Sequence, residues 1–497
     1  MGIIRLTASV LLLLGCLSPG LFASGFENTG IGTKARGMGG AFRAIADDWT
    51  AAYYNPAGYA FVKDNQLGGA YGFKHYRDEL APDYVFTDDL GAVYETGVYN
   101  DRVLYNQHQI LGMPSAGFVA RLPLWGETVF GLSGYQPFDN HLGWTVFEPL
   151  LAYNDSTGGA VPADQIKNDL DVVAFQLTAA KEFSEDKLSI GVGLQVLRAD
   201  LYLRNLNFRS NPLPSPLSDR PFDLIPEFSL NDGTGWGFGF KAGLLYKLNE
   251  NLNVALTANV PFEITVNGNT NLNYVMPRDE FAVSDGNPNR YYPADIEYAF
   301  VAGQSVALRA DYETKLKLPS SFGFGLAYTA TEKLTLALDA EYTLWSQFDG
   351  LSFTYTNVSG LSSTLSSDPA LVDFFSADLS YPVSWDDAYK VMAGADYGLN
   401  QNISLVGGVS YDQSPIGNAS DVTPLFVDPG DRYSFNGGLL ISVNQWDVGF
   451  VTSYFYYPDD QTVTGVMDVN NDGIVDNFPG TYSASTFETV LSVNYRF

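Results

Sequence analysis

The chain has 497 residues, 46% hydrophobic and 17% charged, with 27 Lys+Arg against 56 Asp+Glu and a net charge of −29. So acidic a chain, with no basic stripe, has nothing to neutralise phosphates, which excludes nucleic acid as a partner. One cysteine, Cys16, and three histidines, His75, His108 and His141, leave its body without disulfides, thiolate metal sites or a metal-binding His spacing.

Residues 1–23 read as an export signal. Arg5 precedes the mostly apolar Leu6–Leu14, and Leu21-Phe22-Ala23 offers a small residue for cleavage. The competing signal, Leu13-Leu14-Gly15-Cys16, would place a lipid on Cys16 instead. No later stretch reaches the ~18 apolar residues of a spanning helix. Residues 24–63 carry Gly30, Gly32, Gly37, Gly39 and Gly40, then an Ala-rich run, with no long alternation. A compact segment of this kind ahead of a large barrel is expected to plug its lumen.

Residues 64–497 alternate with period two almost throughout. Leu334, Leu336, Leu338, Ala340, Tyr342 and Leu344 share one face of a strand whose other face holds Asp339 and Glu341. Strands are predicted at 66–76, 115–124, 127–137, 171–184, 187–203, 234–248, 251–266, 317–330, 333–348, 385–399, 402–413, 432–444, 446–457 and 485–497. Links as short as Trp125-Gly126, Asn249-Glu250 and Gln445 alternate with long ones such as 77–114 and 267–316. A strict short/long alternation with an even strand count is the mark of a transmembrane barrel, since closing the sheet pairs every backbone polar group within the bilayer. The fold class is therefore all-β: a 14-stranded antiparallel transmembrane β-barrel with an N-terminal hatch inside the lumen. It belongs in the outer membrane of a Gram-negative-type bacterium, with both termini periplasmic and a terminal Phe497 resembling an assembly signal. Acidic residues crowd the long loops, as at Asp78, Glu79, Asp83, Asp88, Asp89, Glu95 and Asp101. They are solvated surface or, through divalent ions, contacts to outer-membrane lipid and lipopolysaccharide.

Several residues carry a physical reading of their own. In Asn55-Pro56-Ala57, Asn caps a turn through its side chain and Pro fixes φ. Pro137 closes a strand and cannot donate to a ladder. Gly37–Gly40 lacks the preceding strand and the Gly-Lys-Ser/Thr ending of a phosphate loop. Arg309, Lys315 and Lys317 are candidates to meet a ligand carboxylate, or else to pair with lumen acids such as Asp339 and Glu341. Asp468, Asn470, Asp472, Gly473, Ile474 and Asp476 follow calcium-loop spacing, although Pro479 stands where the bidentate Glu belongs. A structural Ca2+ in the last external loop is one expectation, a metal-free turn the other; no other cofactor is required.

Met38-Gly39-Gly40-Ala41-Phe42, Ala46-Asp47-Asp48-Trp49-Thr50-Ala51 and Tyr54-Asn55-Pro56-Ala57-Gly58 together resemble the hatch of the long-chain fatty-acid transporter (FadL-type) outer-membrane family, and Ser24-Gly25-Phe26 resembles its mature start. Leu318-Pro319-Ser320-Ser321, Trp345-Ser346-Gln347-Phe348, Tyr411-Asp412-Gln413-Ser414-Pro415 and Asp431-Arg432-Tyr433-Ser434 follow in the family's order. The resemblance implies passive uptake of hydrophobic compounds, long-chain fatty acids foremost, by a monomeric protein without enzyme activity. It makes Phe26, Asn55, Pro56 and Ala57 parts of a movable hatch and Pro137 the candidate for a lateral opening in a kinked third strand. Import of aromatic hydrocarbons on the same architecture, and a non-specific porin or surface-binding barrel, are the alternatives. An outer-membrane hydrolase would need a Ser-His pair on the wall.

Overall fold

The computed structural model describes residues 25–83, 86–87, 93–94, 102–107, 110–122, 128–145, 165–184, 187–210, 224–275, 305–417, 422–423, 425–426, 430–458, 460–464 and 477–497. Among them the barrel has fourteen strands. These are β1 (Gln66–Pro82), β2 (Ile110–Leu122), β3 (Thr128–Trp144), β4 (Ile166–Phe183), β5 (Leu188–Ser210) and β6 (Leu224–Asn249). Then come β7 (Leu252–Pro261 and Ile264–Val275), β8 (Ser305–Leu316 and Ser321–Thr331), β9 (Leu334–Thr343 and Gly350–Ser359) and β10 (Leu379–Pro382 and Ala388–Gly398). The ring finishes with β11 (Ile403–Asp412), β12 (Arg432–Val443), β13 (Trp446–Tyr456 and Gln461–Val463) and β14 (Gly480–Arg496). All pairs are antiparallel, and β1 closes the ring on β14 from Gln66↔Arg496 to Pro82↔Gly480.

In the lower part of the wall the outward side chains are the apolar ones. Leu256, Phe322, Phe324, Leu338, Phe435 and Leu491 are all more than 40% exposed, as lipid-facing residues must be in a membrane barrel. Above that band the polarity inverts. In the upper segment of β7, Ile264, Val266, Leu272 and Tyr274 are buried, while Asn267 and Asn271 face out. The upper segment of β8 behaves likewise, with Val306, Leu308, Tyr312 and Leu316 inside and Arg309, Glu313 and Lys315 outside. Four neighbouring strands break where the polarity switches, at 262–263, 317–320, 344–349 and 383–387. The breaks in β8 and β9 are pinned together, Leu344 N donating to Ser320 O at 2.8 Å and Ser320 N to Gln347 Oε1 at 2.9 Å.

This inversion corrects two expectations. Residues 305–316 belong to a strand rather than to a long loop, because outside the bilayer a wall buries apolar side chains inward like a water-soluble sheet. The predicted strand 333–348 ends at Thr343, and Trp345–Gln347 forms a 3₁₀ turn that swings Trp345 and Phe348 into the interior.

Residues 25–62 make no barrel strand. They hold two short helices, α1 (Thr33–Gly37) and α2 (Ala51–Tyr54), and a 3₁₀ turn over Pro56–Phe61. Their contacts reach walls on every side. Thr33 Oγ1 meets Ser492 of β14 at 2.5 Å, Gln176 of β4 donates to Ala52 O at 2.9 Å, and Ser189 of β5 donates to Ala57 O at 2.6 Å. Arg43 Nε donates to Thr257 of β7 at 3.2 Å. The wall is shaped to take them. A Cβ on Gly408 of β11 would stand 2.2 Å from the Met38 carbonyl carbon, and one on Gly191 of β5 would stand 2.3 Å from Ala57 N. Glycine on an inward strand position lets another backbone come this close.

Candidate functional site: an aromatic cage, a charged cavity and a gap in the wall

The segment begins with Gly25 and Phe26 placed inside a ring of aromatic side chains. Phe26 is 6% exposed and packs on Trp345, Phe348, Phe138, Trp385 and Phe426 at centroid distances of 5.0, 5.1, 5.8, 5.9 and 6.1 Å. These partners come from the breaks in β9 and β10, from β3, and from an external segment. The strand breaks thus build the cage, because a residue in a turn can aim inward regardless of the sheet's alternation.

Beside the cage lies a cavity of about 60 Å³, room for a few water molecules but not for a drug-sized ligand. Charged groups line it in pairs. Arg36 binds Glu488 at 2.5 Å, Arg43 binds Asp339 at 3.3 Å and also Glu341, Lys390 binds Glu27 at 3.1 Å, and Arg432 binds Asp412 at 2.5 Å. Lys241 is the remaining cation of the lining. Burial pushes the Glu27 carboxyl above the usual carboxylate range, against the pull of Lys390. The Asn55 side chain is fully buried in the N-terminal segment, its Oδ1 accepting from Ala57 N at 3.0 Å and its Nδ2 donating to Arg43 O at 2.9 Å. It therefore ties the Asn-Pro-Ala turn to the stretch that holds the ion pairs.

The third feature is in the wall. β2 and β3 pair only from Leu122↔Thr128 to Ala116↔Gly134, whereas β2 stays on β1 up to His75↔Ile110. Above Gly134, β3 leaves β2. On its other side it is bulged, since Tyr135 faces Ala174 and Phe138 faces Val172, so Gln136 and Pro137 stand against Val173 alone. Two prolines flank the parting strands, Pro114 on β2 and Pro137 on β3, and neither can donate a ladder hydrogen bond. A cavity of about 10 Å³, the size of one water, opens there against Met113, Pro114, Ser115 and Gln136.

The N-terminal segment fills the place β2 vacates. Asn28 N donates to Pro137 O at 2.8 Å and Asp139 N to Phe26 O at 3.1 Å, with Glu27 directly opposite Phe138. Asn28 Nδ2 adds bonds to Gln136 O at 2.9 Å and Asp139 Oδ2 at 3.0 Å. The same three residues, 26–28, thus occupy the cage and complete the wall.

Of the residues singled out in the sequence, Phe26 and Pro137 come together at the gap, while Asn55, Pro56 and Ala57 lie apart from it against Gly191 of β5 and Gly243 of β6; all five are directed to the barrel interior. Arg309, Lys315 and Lys317 are not. Arg309 and Lys315 are on the outer face of β8, Lys315 lies 3.3 Å from Glu263, and Lys317 pairs with Asp349 at the strand break. The cause is the inverted polarity of the upper wall, and the lumen acids Asp339 and Glu341 take Arg43 instead. His141 lies between Asp169 and Asp171, at 3.2 and 3.0 Å. The calcium candidates Asp468, Asn470, Asp472, Ile474 and Asp476 lie outside the described residues, as do 1–24. Sequence reading missed Pro114, Lys241 and the cage partners Trp385 and Phe426. A proline within an alternating run, and a lysine between inward glycines (Gly239, Lys241, Gly243), were the available signals.

A family model described as "Outer membrane protein transport protein (OMPP1/FadL/TodX)" matches residues 152–497. The chain belongs to this family. Among curated members it is 23% identical over 326 residues to the long-chain fatty acid transport protein of Salmonella typhi, covering 62% of this chain and 66% of that one. It is 23% identical over 284 residues to outer membrane protein P1 of Haemophilus influenzae, covering 53% and 50%. The chain thus spans about two thirds of the length of the first relative and half of the second. A solved FadL homologue of Pseudomonas aeruginosa superposes with a TM-score of 0.71 at 17% identity, covering 95% of this chain and 100% of that one. The P. putida toluene transporter TodX gives 0.63 at 16%, covering 94% and 99%. At such identities the structures speak to the fold, which they share end to end. This FadL/TodX-family barrel is an outer-membrane protein, and its family is one of transport proteins, not of enzymes.

Proposed function

We propose that this FadL/TodX-family barrel is a passive uptake channel for hydrophobic compounds, with long-chain fatty acids as its substrates. The observation that carries this reading is Phe26: an apolar ring, held on a short tether, fills an aromatic cage that a ligand could fill instead. A ligand tail entering the cage gains about 0.8 kcal/mol per buried CH₂ and displaces Phe26. Withdrawal of residues 26–28 removes the backbone bonds at Pro137 and Asp139, so the upper half of β3 loses its substitute partner. The gap between Pro114 and Pro137 then becomes a lateral exit into the membrane, downhill and without an energy source. The hatch is residues 24–63, and the polar and charged cavity beside the cage suits the head of an amphipathic ligand. A lumen filled by the hatch speaks against a non-specific porin.

One observation favours a second reading, uptake of aromatic hydrocarbons: what the cage holds now is a single six-membered ring. Mass spectrometry of the detergent-purified protein, with solvent extraction, tests both. A co-purifying fatty acid displaced by oleate and not by toluene supports the main reading. A bound aromatic moves the substrate class, and a protein that neither carries nor takes up any apolar molecule contradicts uptake altogether.

A further inference from the structure

Among the cations that line the central cavity, Lys241 differs from the rest. Arg36, Arg43, Lys390 and Arg432 each hold a carboxylate, as given above. Lys241 has no carboxylate oxygen within 4.0 Å of Nζ among the described residues, yet it is only 7% exposed. Its contacts are one backbone carbonyl, Tyr53 O at 2.5 Å, and the faces of Tyr53 and Tyr135, with ring centroids 4.8 and 5.8 Å away. A carbonyl and two π faces only partly offset the desolvation of an ammonium, which has three donors to satisfy. Gly239 and Gly243 flank Lys241 on the inward face of β6 and Gly193 is its register partner on β5, and the room they leave is taken by Gln195 Oε1, Asn55 Oδ1 and Gln176 Nε2, which a Cβ there would meet at 2.5, 2.0 and 2.5 Å, so the opening toward a ligand is the cavity itself. The cavity in front of this group admits a few waters, hence a carboxylate head but no alkyl tail.

We propose that Lys241 receives the anionic head of the ligand while the tail takes the cage that Phe26 vacates. This rests on the uptake reading and sharpens it, making Lys241 the residue that separates fatty acids from uncharged hydrocarbons. An ammonium with one protein acceptor gains a charge-assisted hydrogen bond from a carboxylate and nothing comparable from an aromatic or an alcohol.

The test compares oleate with oleyl alcohol, which has the same tail and no charge, by displacement of a fluorescent fatty acid from the purified full chain at a pH where oleate is ionised. Wild type should bind oleate about tenfold tighter than the alcohol, the lower end of what such a bond contributes. Lys241→Met should abolish that preference, and Lys241→Arg should keep it. The ratio within one variant is independent of how much of that variant folds. Wild type binding both ligands without preference, or Lys241→Met retaining the preference, overturns the role of Lys241 and leaves uptake standing. Wild type binding neither ligand overturns the uptake reading itself.

Discussion

Replacing Phe26 with Ala separates two roles for this ring by the sign of the effect. If Phe26 competes with ligand for the cage, its removal tightens binding; if it forms part of the ligand's own pocket, its removal weakens binding. The side chain is 6% exposed and touches five aromatic rings. Truncating a core Phe costs about 3–5 kcal/mol. The bonds from Asn28 N to Pro137 O and from Asp139 N to Phe26 O are backbone and survive the substitution, so the lower figure is the appropriate one. At 1.4 kcal/mol per factor of ten, about 3 kcal/mol corresponds to roughly two decades in the occupancy of the cage by its own chain. Apparent affinity scales with the fraction of protein whose site is vacant, so the variant should bind a fluorescent fatty acid up to about a hundredfold tighter. Titration of purified wild type and Phe26→Ala in the same detergent reads this directly. Affinity unchanged or weakened in the variant refutes displacement of Phe26 as the gating step.

The hatch–wall contacts give further expectations. Glu488→Ala leaves Arg36 buried without its carboxylate, at a cost of about 3–5 kcal/mol, and should loosen the hatch enough to raise ion conductance in planar bilayers; conductance equal to wild type would count against a structural role for this pair. Gly408→Ala drives a methyl into the Met38 backbone and should raise conductance too, whereas Gly437→Ala, with nothing within 4 Å of the added Cβ, should not. Equal behaviour of the two glycine variants would contradict the fit of the hatch described above.

Much of the barrel is legible in the chain because a wall between lipid and lumen forces period two on it. β11, β12 and β13 are predicted at 402–413, 432–444 and 446–457, within a residue or so of the lower wall segments. What escapes is the upper wall. There β8 continues through Ser305–Leu316 with charged residues outside, a pattern that resembles an external loop when read for lipid-facing apolar residues. The same inversion misdirects attention to Arg309 and Lys315, which face away from the lumen. The cage is not legible because its rings come from distant positions, Phe26, Phe138, Phe348 and Trp385, brought together by strand breaks whose aim the alternation does not set. Phe26 itself enters the sequence reading only through a family resemblance, while Pro137 is marked by its own chemistry.

The central claim is that ligand passes only when residues 26–28 leave β3. Glu27 and Phe138 form a non-hydrogen-bonded antiparallel pair, a geometry with Cα atoms about 4.5 Å apart and within disulfide range. A Glu27→Cys, Phe138→Cys double variant should therefore form a bond that fastens the segment to the wall. The decisive measurement is uptake of labelled oleate by cells producing this variant, compared before and after reduction. Uptake should be blocked in the oxidised protein and restored by reductant. Equal uptake in the two states, with the disulfide shown to be formed, would contradict it.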